Sequence, residues 1–192
     1  LALPHATDPP ASVVPLGASR LAAASASTGT TAPFASITTV LVAVTSLSEQ
    51  HPQLGDDESY SLTVGVGGEV QLRAATIYGA MHGMETFAQL VGFDFDQGQH
   101  TLPLAPWTIT DQPRYPHRGL MIDTARHWQP PAAIRRIVDS LTYAKLNTLH
   151  WHMVDSQSFA FQSLSSPKLW DGAWSAQERY TQLDVKDVVE YA

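Results

Sequence analysis

The sequence predicts a mixed α/β protein in two parts, a small α+β unit followed by parallel strand–helix–strand units. Three observations carry this. Two short runs that alternate apolar and polar residues, YSLTVGV and EVQLRA, flank Gly67-Gly68 and lead into a helical pattern at TIYGAMHGMETFAQLV. A proline-bearing stretch, TDQPRYPHRG, interrupts all regular structure. After it the apolar rhythm becomes strand, helix, strand, the order that gives a parallel sheet.

Residues 1–34 are rich in Ala, Ser, Thr and Pro and carry too little apolar bulk to specify a core, so they are predicted to be low-complexity and irregular. Residues 35–112 form the α+β unit. Its first strand is the β-branched run ITTVLVAVTS from Ile37, and HPQLGDDES is a loop by its Pro, Gly and acid content. The alternating pair around Gly67-Gly68 is a hairpin. Ile77, Ala80, Met81, Met84, Phe87, Ala88 and Val91 recur with helical period until Gly92 stops them, and a last strand ends near Trp107-Thr108-Ile109.

Residues 113–192 hold the parallel units. GLMIDT is a short apolar strand. Pro130-Pro131 open a helix with Ile134, Ile137, Val138 and Leu141 on one face, and Asn147 closes it. TLHWHMV is the second strand, expected to lie parallel to the first across a right-handed crossover. DVKDVVEYA starts a further helix, capped by Asp184 and buried through Val185, Val188, Val189 and Ala192.

Bulk properties narrow the chemistry. A net charge of −7 with 11 Lys plus Arg lacks the basic footprint that a nucleic-acid partner needs. No apolar run approaches the ~18 residues of a membrane span. With 0 Cys there is no disulfide framework, thiolate zinc site or thiol nucleophile. The chain opens at Leu1 without a basic and then apolar leader, so any targeting peptide is expected to have been removed. Asn147 is followed by Thr148-Leu149, which is no glycosylation acceptor.

Polar residues after the carboxyl ends of parallel strands line ligand sites. The first strand ends in Asp123-Thr124-Ala125-Arg126-His127-Trp128, the second in Asp155-Ser156-Gln157-Ser158-Phe159. Arg126 offers a planar fork of donors, Asp155 accepts from a hydroxyl pair, and Trp128 presents a flat apolar face, a set that suits a ligand with many hydroxyls. The same residues also fit a salt bridge that merely pins two loops. His150 and His152 share one side of their strand and could form a metal pair, with Asp155 on the opposite parity if the strand runs straight. GVGG at 65–68 is no phosphate loop, and no G-x-S-x-G elbow is present.

YPHRGLMIDTARHW, LNTLHWHMVDSQSF and YTQLDVKDVVEYA together resemble the opening of the catalytic barrel of family 20 glycoside hydrolases, the β-N-acetylhexosaminidases. TIYGAMHGMETFAQLV resembles the helix of the small domain that precedes that barrel, so the likeness runs from about residue 35 to 192. VDSQSF, with Ser after the aspartate, looks more like fungal members than animal ones, whereas Ala125 and Ala160 stand where Ser and Pro are usual. The resemblance implies that residues 113–192 begin a (β/α)₈ barrel. It implies that Arg126 and Asp155 bind a terminal N-acetylhexosamine, with His152 supporting Asp155, and that neither metal nor cofactor is needed. In such enzymes the substrate's 2-acetamido oxygen attacks the anomeric carbon, an exception to the two-carboxylate scheme. The Asp-Glu pair that drives this step is expected on a later barrel strand, so no catalytic residue is assigned here. A barrel takes ~250 residues, and two predicted strands cannot close one; alone, the chain is expected to be inert.

The expected partners are therefore an N-acetylhexosamine-containing oligosaccharide, the remainder of a hexosaminidase polypeptide and, by the same likeness, a second copy in a homodimer. Secretion, or a lysosomal or vacuolar location, is expected on that ground alone. Two other readings stay open: a metal-dependent hydrolase using His150 and His152, and a non-catalytic sugar-binding fragment.

Overall fold

The computed structural model describes Val13–Pro15 and residues 36–192. These fall into two compact units, one ending at Pro116 and the other running from His117 to Ala192.

The first unit is a five-stranded sheet with one helix against it. Its strands are β1 (Val13–Pro15), β2 (Thr39–Val44), β3 (Tyr60–Val64), β4 (Glu69–Ala74) and β7 (Trp107–Asp111), in the order β1-β2-β4-β3-β7. β3 and β4 are the predicted hairpin, and Gly68 takes the left-handed φ of 82° that its turn demands. β2 skips its sequence neighbour to pair parallel with β4. Helix α1 (Ile77–Leu90) starts at Thr76, whose side chain accepts from the Gly79 N–H, and β5 (Gly92–Asp94) and β6 (Gln99–Thr101) form a separate hairpin after it. Along β3 and β4 alternate residues turn inward, so Tyr60, Leu62, Val64, Val70, Leu72 and Ala74 pack with Ala80 and Phe87 while Thr63, Gln71 and Arg73 stay exposed.

The reading of residues 1–34 as mostly irregular meets the structure only at Val13–Pro15, which form a short strand. Two β-branched residues lie along the free edge of β2 and pair with it antiparallel. The rest of that segment lies outside the described residues.

Glycine sets how closely α1 approaches the sheet. A Cβ on Gly79 would run into the Ser59 carbonyl oxygen, and one on Gly83 into the Leu72 side chain. The first obstacle is backbone and cannot step aside. Gly79→Ala gains ~1 kcal/mol of helix propensity but forces α1 off its seat. The expected result is a net loss of about 1–3 kcal/mol of stability, read from the urea midpoint.

The second unit contains β8 (Gly119–Asp123), α2 (Pro131–Tyr143), β9 (Thr148–His152), a 3₁₀ helix at Pro167–Gly172, and α3 (Gln182–Tyr191). β8 and β9 are parallel, with Gly119 opposite Thr148 and Asp123 opposite His152. Ile134, Ala160, Tyr180 and Val188 form the buried centre, packed by Ile122, Leu149, Trp151 and Val185. Because side chains alternate along a strand, Met121, Asp123, His150 and His152 project from the opposite face, where Met121 and His150 are exposed.

Two predicted helix ends are corrected. α2 stops at Tyr143, and Asn147 does not cap it; its side chain accepts from the Arg118 N–H and its own N–H donates to the Arg118 carbonyl, tying the entry of β9 to that of β8. α3 is capped by Thr181 rather than Asp184, which is the acidic partner of a capping box. Thr181 accepts from the Asp184 N–H while Asp184 accepts from the Thr181 N–H, so two otherwise orphaned donors are satisfied together.

Candidate functional site

β8 and β9 end side by side in two acid-built loops. Asp123 Oδ1 accepts from the backbone N–H groups of Ala125 at 3.2 Å and Arg126 at 3.1 Å. Asp155 Oδ1 does the same for Gln157 at 2.7 Å and Ser158 at 3.1 Å. Each aspartate thereby folds the loop that follows it, because an ionised oxygen is a strong acceptor for amide donors.

The second oxygen of each carboxylate is left for Arg126. Its Nη1 donates to Asp123 Oδ2, its Nη2 lies 3.5 Å from Asp155 Oδ2, and its Nε donates to Gln157 Oε1 at 2.9 Å. His152 Nε2 stands 3.3 Å from the same Asp155 oxygen. Arg126, Asp155 and His152 are thus brought together, joined by Asp123 and Gln157, which carried no assigned role in the sequence. The parity argument against Asp155 does not hold. β9 ends at His152, Val154 bridges to Phe159, and Asp155 Oδ2 lies 3.3 Å from His152 Nε2.

Both carboxylates stay charged more readily than ordinary aspartates. For Asp123, desolvation pushes the pKa up, but hydrogen bonds from the Arg126 backbone and guanidinium, with the charges of Arg126 and His152, outweigh it and the net shift is downward. For Asp155 the Gln157 amide is the largest influence and lowers the pKa. Desolvation opposes it, and His152, Ser158 and Arg126 add to the lowering.

The loop bearing Arg126 is braced by aromatic side chains from further along the chain. Trp151 Nε1 donates to Thr124 Oγ1 at 2.7 Å, and Trp174 Nε1 donates to the Ala125 carbonyl at 2.8 Å. The Tyr180 hydroxyl donates to the Gln129 carbonyl at 2.6 Å and accepts from its N–H at 3.2 Å. Trp128 stacks on Tyr180 with ring centroids 5.6 Å apart, so the face expected to be open to a ligand is partly spent on the core. Arg126, His127, Trp128, Gln129, Trp174 and Glu178 line an open depression of about 550 Å³.

The expected His150–His152 metal pair is not what the structure assembles. Among the described residues, the potential ligand group is Asp123, His152 and Asp155, with donor atoms within 4.8 Å of one another, and His150 is not part of it. The Arg126 guanidinium already pairs with both carboxylates of that group, at Asp123 Oδ2 and at Asp155 Oδ2. Among the described residues no helix is long and apolar enough to cross a membrane.

Comparisons with known proteins agree with this layout. Residues 115–192 match the family described as glycosyl hydrolase family 20, catalytic domain, and residues 9–90 match the beta-acetyl hexosaminidase-like domain. Beta-hexosaminidase 3 of Arabidopsis thaliana is 47% identical over 152 residues, covering 78% of this chain and 28% of its own length. The chain thus spans under a third of that relative. Among solved structures, a Flavobacterium johnsoniae chitobiase superposes with a TM-score of 0.67 at 35% identity, over 80% of this chain and 22% of its own. An exo-β-N-acetylglucosaminidase from Vibrio harveyi, solved with N-acetylglucosamine bound, superposes with a TM-score of 0.62 at 25% identity, over 80% of this chain and 25% of its own. With its amino-terminal unit matched to the hexosaminidase-like domain and β8-α2-β9-α3 to the start of the (β/α)₈ barrel, the chain belongs to glycosyl hydrolase family 20.

Proposed function

We propose that the chain supplies part of the sugar site of a β-N-acetylhexosaminidase that removes terminal N-acetylglucosamine or N-acetylgalactosamine, working within a longer polypeptide that carries the acid–base pair. The observation that carries this reading is the guanidinium of Arg126, fixed by Asp123, Gln157 and Asp155 at the carboxyl ends of two parallel strands. Three of its N–H donors face these partners, and the others have none among the described residues. A planar cation held in this way presents a fixed pair of donors to vicinal hydroxyls, so orientation is set before substrate arrives. Asp155, steadied by two backbone amides and His152, keeps an anionic acceptor beside it.

On this reading these residues bind and orient, and protonation of the leaving group falls to others. The bond-breaking step falls to the substrate's acetamido oxygen and to an Asp-Glu pair elsewhere in the polypeptide. The test is hydrolysis of an aryl N-acetyl-β-glucosaminide by the full-length enzyme in the presence of a chelator. Retained turnover supports the reading. Loss on chelation with rescue by zinc would move the function to the Asp123-His152-Asp155 group, and saccharide binding without turnover would leave a non-catalytic module.

A further inference from the structure

We infer that Trp174 is a positioning residue for Arg126, acting through the Ala125 carbonyl, and that it sets the affinity for the sugar hydroxyls that Arg126 holds. The inference rests on the hexosaminidase reading of Arg126 but has a readout independent of it.

Three ring side chains brace residues 124–129, and they are not alike. Tyr180 is fully buried and Trp151 packs edge-on against it with centroids 5.0 Å apart, so both are fixtures of the core. Trp174 is 58% exposed and lies in the irregular segment after the 3₁₀ helix. Burial therefore explains little of why an indole sits there. Its N–H, however, reaches the carbonyl of Ala125, a residue that is itself fully buried.

The Ala125 carbonyl and the Arg126 N–H belong to one planar peptide unit. Trp174 holds the oxygen of that unit at 2.8 Å, and Asp123 Oδ1 holds its N–H at 3.1 Å. A plane gripped at both polar ends cannot rotate without breaking a bond to one of them. Its rotation decides the direction in which the Arg126 side chain leaves the backbone. Asp123 and Gln157 then hold the guanidinium itself. Without Trp174 only the N–H end is held, and the arginine explores orientations that miss the sugar.

Trp174→Phe keeps a ring and deletes the donor. In the full-length enzyme assayed with an aryl N-acetyl-β-glucosaminide, KM is expected to rise roughly 3- to 10-fold, a net hydrogen bond's worth, with kcat within about twofold. The effect disappears in an Arg126→Ala background, where no guanidinium remains to aim. An unchanged KM, or the same rise in both backgrounds, overturns the proposal and leaves Trp174 a structural residue. Hydrogen exchange in the 124–129 peptide needs no turnover. Faster exchange in Trp174→Phe supports the role and unchanged exchange refutes it. An enzyme inactive on hexosaminides counts against the proposed function, while unchanged exchange would still refute the bracing of Ala125 by Trp174.

Discussion

Replacing Arg126 by alanine is expected to lower kcat/KM of the full-length enzyme on aryl N-acetyl-β-glucosaminides by roughly ten- to a hundredfold, most of it through KM. The range is that of charge-assisted hydrogen bonds to a bound hydroxyl pair. The side chain is 52% exposed, and solvent screening places the effect toward the lower end when the site is open. The substitution also removes the cation shared by Asp123 and Asp155, whose charges help hold each other's partner in place. Arg126 lowers both pKa values, so each should rise in the variant. The sign follows from linkage. A carboxyl depressed below its ordinary 3.8 adds stability that is present in full above that value and is lost as pH falls through the depressed one. With Arg126 gone that contribution is smaller and is exhausted at a higher pH, so the acid-unfolding midpoint moves up. Carboxyl titrations by NMR would read the same change residue by residue. Arg126→Lys should recover only part of the activity, because a single ammonium cannot reach Asp123, Gln157 and Asp155 together. Unchanged kinetics with a shifted acid midpoint would mean that Arg126 pins two loops and holds no sugar.

How much of this was legible in the sequence differs from element to element. The hairpin around Gly67-Gly68, the Thr76-led helix and the strand–helix–strand order of residues 119–152 rest on local signals, namely period, turn glycine and proline, and the structure contains each of them. The parallel pairing of β2 with β4 is not local; no periodicity reports which edge a strand will find. β1 was hidden because two valines in an Ala- and Ser-rich stretch acquire a partner only when β2 offers an edge. At the site, Arg126, Asp155 and His152 read as neighbours, but they meet because β9 ends at His152, and strand parity does not carry past that end. Asp123 sits in the first cluster the sequence displays, and its double role, building its own loop and holding Arg126, depends on register with His152 across the sheet. The aromatic bracing by Trp174 and Tyr180 joins residues about fifty positions apart in sequence, a separation that composition and spacing cannot bridge.

The largest functional loss is expected from Asp155→Asn, because it changes one atom and reverses a polarity. Asparagine can keep its oxygen where Oδ1 now accepts from the Gln157 and Ser158 amides, so the turn that follows β9 should survive. The amide nitrogen then occupies the position of Oδ2. There it meets the Arg126 guanidinium, and it meets His152 Nε2 as donor against donor whenever that nitrogen carries a proton. Opposed donors repel, and the site loses the anion that balanced Arg126 on its inner side. On the proposed sugar-site reading the fall in kcat/KM is on the order of a hundredfold, larger than for Arg126→Ala because an acceptor for sugar hydroxyls and the aim of the arginine would go together. Asp155→Ala should add a loss of stability on top, since both backbone amides would then lack their acceptor. A double-mutant cycle separates this account from two independent contributions. If Asp155 acts largely through Arg126, Asp155→Asn in an Arg126→Ala background costs clearly less than it does alone. The cost that remains in that background measures what Asp155 does for the sugar directly; strict additivity would show that it does not act through Arg126 at all, and wild-type kinetics for Asp155→Asn would remove it from the site.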